Sequence, residues 1–452
     1  MMPAPWRGHV LSTWRDAPID SMREREGIMT HGAGDRGVVL DDDTIASILR
    51  DGFVHGDLAG RNVLLIVPDG TRTAPMSRMF ALIDAALRGL GARCDVLIAL
   101  GTHQPMDAGQ IARLLGDGDP HWQSRYPDVS VDNHAWWDPA SFSTLGHIPA
   151  DDLAALSGGM LAHDVAVTIN RRIHDYERIL ICGPVFPHEV VGFSGGNKYL
   201  FPGISGREVI DVSHWLGALI TSYALIGTPG ITPVRALIDR AAALVPTPRQ
   251  CVALVVEPGS TALNGVYVGT PEQAWAAASA LSQRMHVRTV PAPFRRVIAV
   301  MPPMYQDIWT AAKGMYKLEP IVADGGELVI YAPHITTFSV THGAALAAIG
   351  GYHVRDYFVR QWERFRDHPW GVLAHSTHLR GVGSYDPATG EQPRVRVTLA
   401  TGIDAARCAA HHVGYADPAS IDPAALQGRE AEGILVVPKA GEMLYRLAAQ
   451  ER

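Results

Sequence analysis

The chain has 452 residues, 47% hydrophobic and 19% charged, with a net charge of −7. That length predicts two or three domains with sizeable cores, and the absence of a run of Lys or Arg argues against non-specific nucleic-acid binding. Four cysteines (Cys94, Cys182, Cys251, Cys408) stand far apart with no zinc spacing, which predicts buried, reduced thiols in a reducing compartment.

Residues 1–20 mix Trp, Arg, Asp and Pro without the apolar centre of a signal peptide. The apolar stretch 215–226 is too short to span a bilayer, so a cytoplasmic protein without a membrane partner is expected. In chain order, residues 63–69 read as a buried strand, 76–90 as a helix, 94–100 as a strand and 106–115 as a helix. Residues 163–170 and 178–184 read as two further strands. Continuous apolar strands alternating with helices predict an α/β fold on a parallel, doubly wound sheet.

Ser205 with Glu208 predicts a capping box that opens a helix running through Ile220. Residues 271–285 predict a helix with Thr270 as N-cap and Pro271 in its first position. It ends before Pro291-Ala292-Pro293. The pattern then restarts with a strand at 296–300, a helix at 308–316, a strand at 327–331 and late strands at 395–401 and 433–437. The expected organisation is an N-terminal α/β domain over 1–270, a connecting helix and linker over 271–294, and a C-terminal α/β domain over 295–452. Both are expected to have largely parallel sheets, with the active site in a cleft between them.

Open α/β sheets bind ligands beyond the carboxyl ends of their strands. There the sequence places Asp69-Gly70-Thr71-Arg72, then Gly101-Thr102-His103, then Pro187-His188-Glu189. In Gly192-Phe193-Ser194-Gly195-Gly196-Asn197-Lys198 the glycines let backbone amides approach an anion. The spacing is not that of a Walker loop, which disfavours a nucleotide triphosphatase; a flexible loop with a surface lysine is the plainer alternative. His188 and His214 have no zinc spacing. A single imidazole such as His214 can still hold nickel if a cofactor supplies the other ligands, while packing beside Trp215 is its ordinary role. Trp309 and Lys313 lie four apart on one expected helix face. That pairing serves either to bind a substrate carboxylate or to cover the indole with the lysine stem.

Taken together, Asp69-x-x-Arg72, the Gly-Thr-His103 turn and the block from Pro187 to Lys198 resemble the nickel-dependent lactate racemase family; Pro202-Gly203-Ile204 and His214 fit it too, and the likeness runs from about residue 40 to about residue 440, over both expected domains. The resemblance implies that Lys198 carries, covalently, a nickel-pincer nucleotide, pyridinium-3,5-bisthiocarboxylic acid mononucleotide with Ni(II). Asp69, Thr71, Ser194, Gly195 and Gly196 would contact this cofactor, and His214 would complete the square plane of the metal. His103 and His188 would be the acid/base pair, and Arg72, Lys313, Trp309 and Thr310 would bind substrate.

The implied activity is that of an isomerase, racemising or epimerising a 2-hydroxy acid by reversible hydride transfer. Cofactor-assembly enzymes would be transient partners, and homo-oligomerisation is left open. Lactate enzymes carry Tyr-Gln where this chain has Trp309-Thr310, which points to a different or larger substrate such as a sugar acid. Two other expectations stand beside this one. One is a cofactor-independent or Schiff-base lyase using the same histidines and lysine; the other is a non-catalytic nickel- or nucleotide-binding protein.

Overall fold

Val63, Leu64, Leu65, Ile66 and Val67 are all fully buried, which a strand achieves only when both faces of its sheet are covered. In the computed structural model, which describes residues 30–448, they lie in the strand Asn62–Pro68. It runs parallel to Arg93–Ala99 on one side and to Arg178–Pro184 on the other. The full sheet has seven strands in the order His31–Gly34, Leu263–Gly269, Arg249–Val256, Arg178–Pro184, Asn62–Pro68, Arg93–Ala99, Val131–Asn133. The last five are parallel, and the first two add an antiparallel edge.

One face of this sheet is closed by two amphipathic helices. Ile45, Leu49 and Phe53 of Asp42–His55 and Met79, Phe80, Ile83 and Leu87 of Met76–Gly89 recur every three or four residues. They share a core with Val63, Leu65 and Val67. Asp41 starts the first helix by accepting a hydrogen bond from the Thr44 amide at 2.9 Å.

The expected strand at 163–170 exists as Val165–Asn170, but it does not join the main sheet. It pairs antiparallel with Phe142–Ile148 in a separate two-stranded sheet. Its first four residues alternate between buried and half-buried, the pattern of a strand covered on one face only. The helix after the glycine-rich stretch is Arg207–Ile220, without the expected capping box. The Ser205 hydroxyl donates to the Gly206 carbonyl at 3.2 Å, and the Glu208 carboxylate lies 3.4 Å from His163. The Ala-rich helix is Pro271–His286, and Thr270 Oγ1 accepts from the Gln273 amide at 3.2 Å, as an N-cap does.

A second sheet has five parallel strands, Gly414–Tyr415, Arg396–Thr401, Val322–Ala332, Phe294–Val300 and Ile434–Val437 in spatial order. Both sheets therefore give a mixed α/β fold rich in parallel strands. The chain divides into two compact units. The first gathers the described chain up to Phe186 with Ser194–Ile210 and Pro229–Met285. The second gathers Pro187–Phe193, Asp211–Thr228 and the chain from His286 onward.

All four cysteines are buried and unbridged. Among the described residues no helix is long and apolar enough to cross a membrane; the expectation about residues 1–20 lies outside the described residues. Because Ile66 is fully enclosed, Ile66→Ala is expected to destabilise the first unit by about 2–5 kcal/mol. Urea unfolding followed by tryptophan fluorescence measures this, and a loss near zero would mean the sheet is open on one face.

Candidate functional site

Asp69 follows directly on the strand Asn62–Pro68 and is buried. Its Oδ1 accepts from the Thr71 amide at 3.1 Å and the Thr71 hydroxyl at 2.6 Å, and its Oδ2 meets His103 Nδ1 at 2.5 Å. Burial opposes ionisation of Asp69 more than any other single influence. The charge and hydrogen bond of His103, the Thr71 hydrogen bond and the Arg72 charge together outweigh it, holding the carboxyl well below the usual range. With Nδ1 committed to Asp69, Nε2 is the nitrogen His103 presents for proton exchange.

The His103 turn is itself anchored. The Trp136 indole N–H donates to the His103 carbonyl at 2.8 Å, and the Gly101 amide donates to the Gly203 carbonyl at 2.9 Å. The Gly203 amide in turn donates to the Lys198 carbonyl at 3.1 Å. Two hydrogen bonds thus tie the histidine turn to the lysine turn, within one unit.

Lys198 lies, half-buried, in the single 3-10 turn Gly196–Tyr199. Before it, Gly195 and Gly196 have φ of +92° and +59°, values that favour glycine. A Cβ on Gly195 would stand 2.6 Å from Val185, and one on Gly196 would stand 3.0 Å from the Pro271 carbonyl. The turn is therefore a tightly packed cradle in which only glycine fits at these two positions. Ser194 closes its entrance: its hydroxyl accepts from the Phe186 amide at 2.9 Å and donates to the Pro184 carbonyl at 3.4 Å.

Beneath the turn lies a polar cluster that the sequence did not reveal. Arg235 donates to the Gly195 carbonyl at 3.1 Å and stacks over Trp275 at 4.3 Å. The Asn197 amide donates to Asp239 at 2.9 Å and to Glu272 at 2.7 Å, and Arg249 donates to the Asn197 oxygen at 3.4 Å. Burial raises the Asp239 carboxyl to about 6 against the pull of Arg235 and Asn197, and burial likewise lowers Arg235. Arg235 and Asp239, four apart in Pro233–Ala242, were the available signal, but in sequence they read as a surface ion pair.

The second unit holds the other candidates. His188 is buried in the short strand Pro187–His188, paired with Gly192–Phe193. Its Nδ1 accepts from the Val190 amide at 3.1 Å and lies 3.2 Å from Glu189 Oε2. The amide needs a lone pair on that nitrogen and the carboxylate needs a proton, so Nδ1 bonds Val190 when bare and Glu189 when it carries a proton. His214 is half-buried in Arg207–Ile220, with Nδ1 3.4 Å from the Ser213 hydroxyl. Its neighbour Trp215 takes the packing role, fully buried and stacked on Trp362 at 5.4 Å.

The expected helix at 308–316 divides at Ala312 into Ile308–Ala311 and Lys313–Tyr316. Spacing by four therefore does not pair Trp309 with Lys313. The Lys313 ammonium sits over Tyr305 at 4.7 Å. Trp309 stacks instead on His375 at 3.7 Å and tilts against His342 at 4.4 Å. The Thr310 hydroxyl is held by Asp307 at 2.7 Å, where it helps cap the turn. Burial above all, then the charges of His378, His342 and His214, keeps the His375 pKa well below that of a free imidazole. In the sequence nothing marks His342, and the only signal at His375 is a second histidine, His378, three positions on in the helix Trp370–Arg380.

Residues 55–226 match the lactate racemase N-terminal domain family. A lactate racemase from Thermoanaerobacterium thermosaccharolyticum is 24% identical over 280 residues, 60% of this chain and 60% of that protein. The alignment thus leaves out about two fifths of that curated relative. Among solved structures, a Thermotoga maritima protein superposes with a TM-score of 0.82 at 30% identity, over 91% of this chain and 99% of that one. The lactate racemase apoprotein of Thermoanaerobacterium thermosaccharolyticum gives a TM-score of 0.67 at 20% identity, over 91% and 95%, a likeness of fold.

Two outcomes follow from the cradle and the cluster beneath it. Gly195→Ala is expected to lower the melting temperature and change the rate at which an amine reagent modifies Lys198, since left-handed strain and the Val185 clash both act there; a variant that melts and reacts like wild type would contradict the cradle. Asp239 has a folded pKa above its ordinary value of 3.8. Its contribution is therefore fully present below pH 4 and lost as pH rises through about 6. Relative to Asp239→Asn, wild type should gain up to about 3 kcal/mol over that fall in pH, read by denaturation at several pH values. A constant difference would place the carboxyl in water.

Proposed function

We propose that the chain, whose residues 55–226 match the lactate racemase N-terminal domain family, is an isomerase that racemises or epimerises a 2-hydroxy acid. The observation that carries this is the Asp69–His103 pair at a strand end, tied through Gly203 to the turn that holds Lys198. A buried carboxylate orients one nitrogen of the imidazole and leaves the other to work as a base.

The α-hydrogen of a 2-hydroxy acid is a very weak acid beside its carboxylate, so moving it as hydride avoids a dianion. The residues present fit a nickel-pincer nucleotide. The packed glycine turn fixes where Lys198 stands, Lys198 supplies an amine for a covalent link, and His214 offers one imidazole. Among the described residues no three His, Cys, Asp or Glu gather as a metal site. His214 would hold the nickel as its protein ligand, with the organic cofactor supplying the others. When bound, that cofactor supplies a reversible hydride acceptor.

The protein's own groups do the rest. His103 Nε2 takes the hydroxyl proton, while Asp69 holds Nδ1–H and stabilises the imidazolium that forms. Arg72 grips the substrate carboxylate with a charge-assisted fork, and Lys313 adds a second cation. His188 returns a proton at the opposite face, its charged form supported by Glu189. Ser194 acts by shaping the cradle, since its hydroxyl is held by main chain. Trp309 gives the substrate wall an indole, which suits an acid other than lactate, such as a sugar acid. By this reading the enzyme works in the cytoplasm and receives its cofactor from separate assembly enzymes.

The test is the intact mass and nickel content of protein from a cell that makes the cofactor, with racemisation followed by polarimetry. A nucleotide-sized adduct on Lys198 with about one nickel is expected. Both His103→Ala and His188→Ala should lose roughly 100- to 10,000-fold in kcat, and Asp69→Asn roughly 10- to 100-fold. Racemisation by the unmodified apoprotein would sink the pincer mechanism, and full activity in His103→Ala would sink the acid/base assignment.

A further inference from the structure

The helix Trp370–Arg380 carries two imidazoles into the interior of the second unit. His375 and His378 are both buried. His375 Nε2 and both nitrogens of His378 have no hydrogen-bond partner within the protein. Buried polar groups are nearly always paired, so a bare imidazole nitrogen in a folded interior points to a group that arrives from outside.

Of the two, His375 is placed for function. Its ring stacks on Trp309 at 3.7 Å with 19° between the planes, and His342 leans on the same indole. It also lies within electrostatic reach of His214. Trp309 and His214 are the residues of this unit assigned above to the substrate wall and to the metal.

We propose that His375 is the specificity-determining residue: its Nε2 hydrogen-bonds a hydroxyl beyond C2 of a polyhydroxylated 2-hydroxy acid, while Trp309 covers the C–H groups of the same chain. The inference rests on the racemase reading and names its substrate class. The chemistry of the ring narrows the choice. A methyl group, as in lactate, leaves Nε2 unpaired in a buried site. A second carboxylate calls for an imidazolium, which burial among other imidazoles opposes. A hydroxyl both donates and accepts, so it satisfies a neutral imidazole in either tautomer. The apolar indole face suits the C–H groups that alternate with hydroxyls along such a chain.

The experiment uses enzyme whose cofactor adduct has been confirmed by intact mass, with D-gluconate and L-lactate as probes. Wild type is expected to show the higher kcat/KM on D-gluconate. His375→Leu should lower that value at least about tenfold more than it lowers the value for L-lactate. His375→Gln, which restores an amide near the place of Nε2, should recover part of the ratio. A merely structural imidazole would lower both substrates together, with no recovery of the ratio by Gln. If His375→Leu does not fold, the thermal shift of wild type decides: D-gluconate should raise Tm more than L-lactate at equal concentration. A wild type that prefers L-lactate, an unchanged ratio in the variants, or an equal or smaller shift overturns the role of His375 and leaves the racemase reading standing. Loaded wild type that exchanges the α-hydrogen of no 2-hydroxy acid overturns the racemase reading, and this inference with it.

Discussion

A turn built on two glycines in left-handed backbone cannot hold its own shape, because glycine has the most conformational freedom to lose. The turn before Lys198 is held from below. Arg235 pins the Gly195 carbonyl, and Asn197 is gripped by Asp239, Glu272 and Arg249. These charges are expensive to bury singly and tolerable only as a connected set. The position of the lysine, the closure by Ser194 and the link through Gly203 to His103 all presuppose that set. Its members come from four separate stretches of chain, so the turn forms only once the first unit has folded around it.

This arrangement explains what the sequence disclosed. Uninterrupted apolar runs such as Val63 to Val67 and Ile179 to Cys182 leave little choice but a doubly covered parallel strand. The residues that follow such strands, Asp69 to Arg72 and Gly101 to His103, fall where ligands bind in open sheets. The glycine-lysine block is equally legible, since its chemistry is local. Val165–Asn170 was assigned to the wrong sheet because an apolar run does not announce whether both its faces will be covered.

The illegible part is what depends on distant partners. Nothing local distinguishes a buried Arg235–Asp239 pair from a solvated one, and burial alone gives it meaning. Likewise His375 looked like any helical histidine until its stacking on Trp309, 66 positions earlier in the chain, was visible. Lys313 shows the converse error. Spacing by four is informative only if the helix is unbroken, and the break at Ala312 hands its ammonium to Tyr305.

Nδ1 of His188 has two partners, the Val190 amide and the Glu189 carboxylate, at nearly equal distance. That nitrogen can therefore gain or lose its proton by trading neighbours, without the ring turning. In the proposed reaction, inversion by two bases would finish each round with the proton on the opposite histidine, primed for the mirror-image substrate. A return step would have to move that proton back before the same enantiomer could be processed again, and a histidine whose Nδ1 changes partner in place would serve such a step without rebuilding the site.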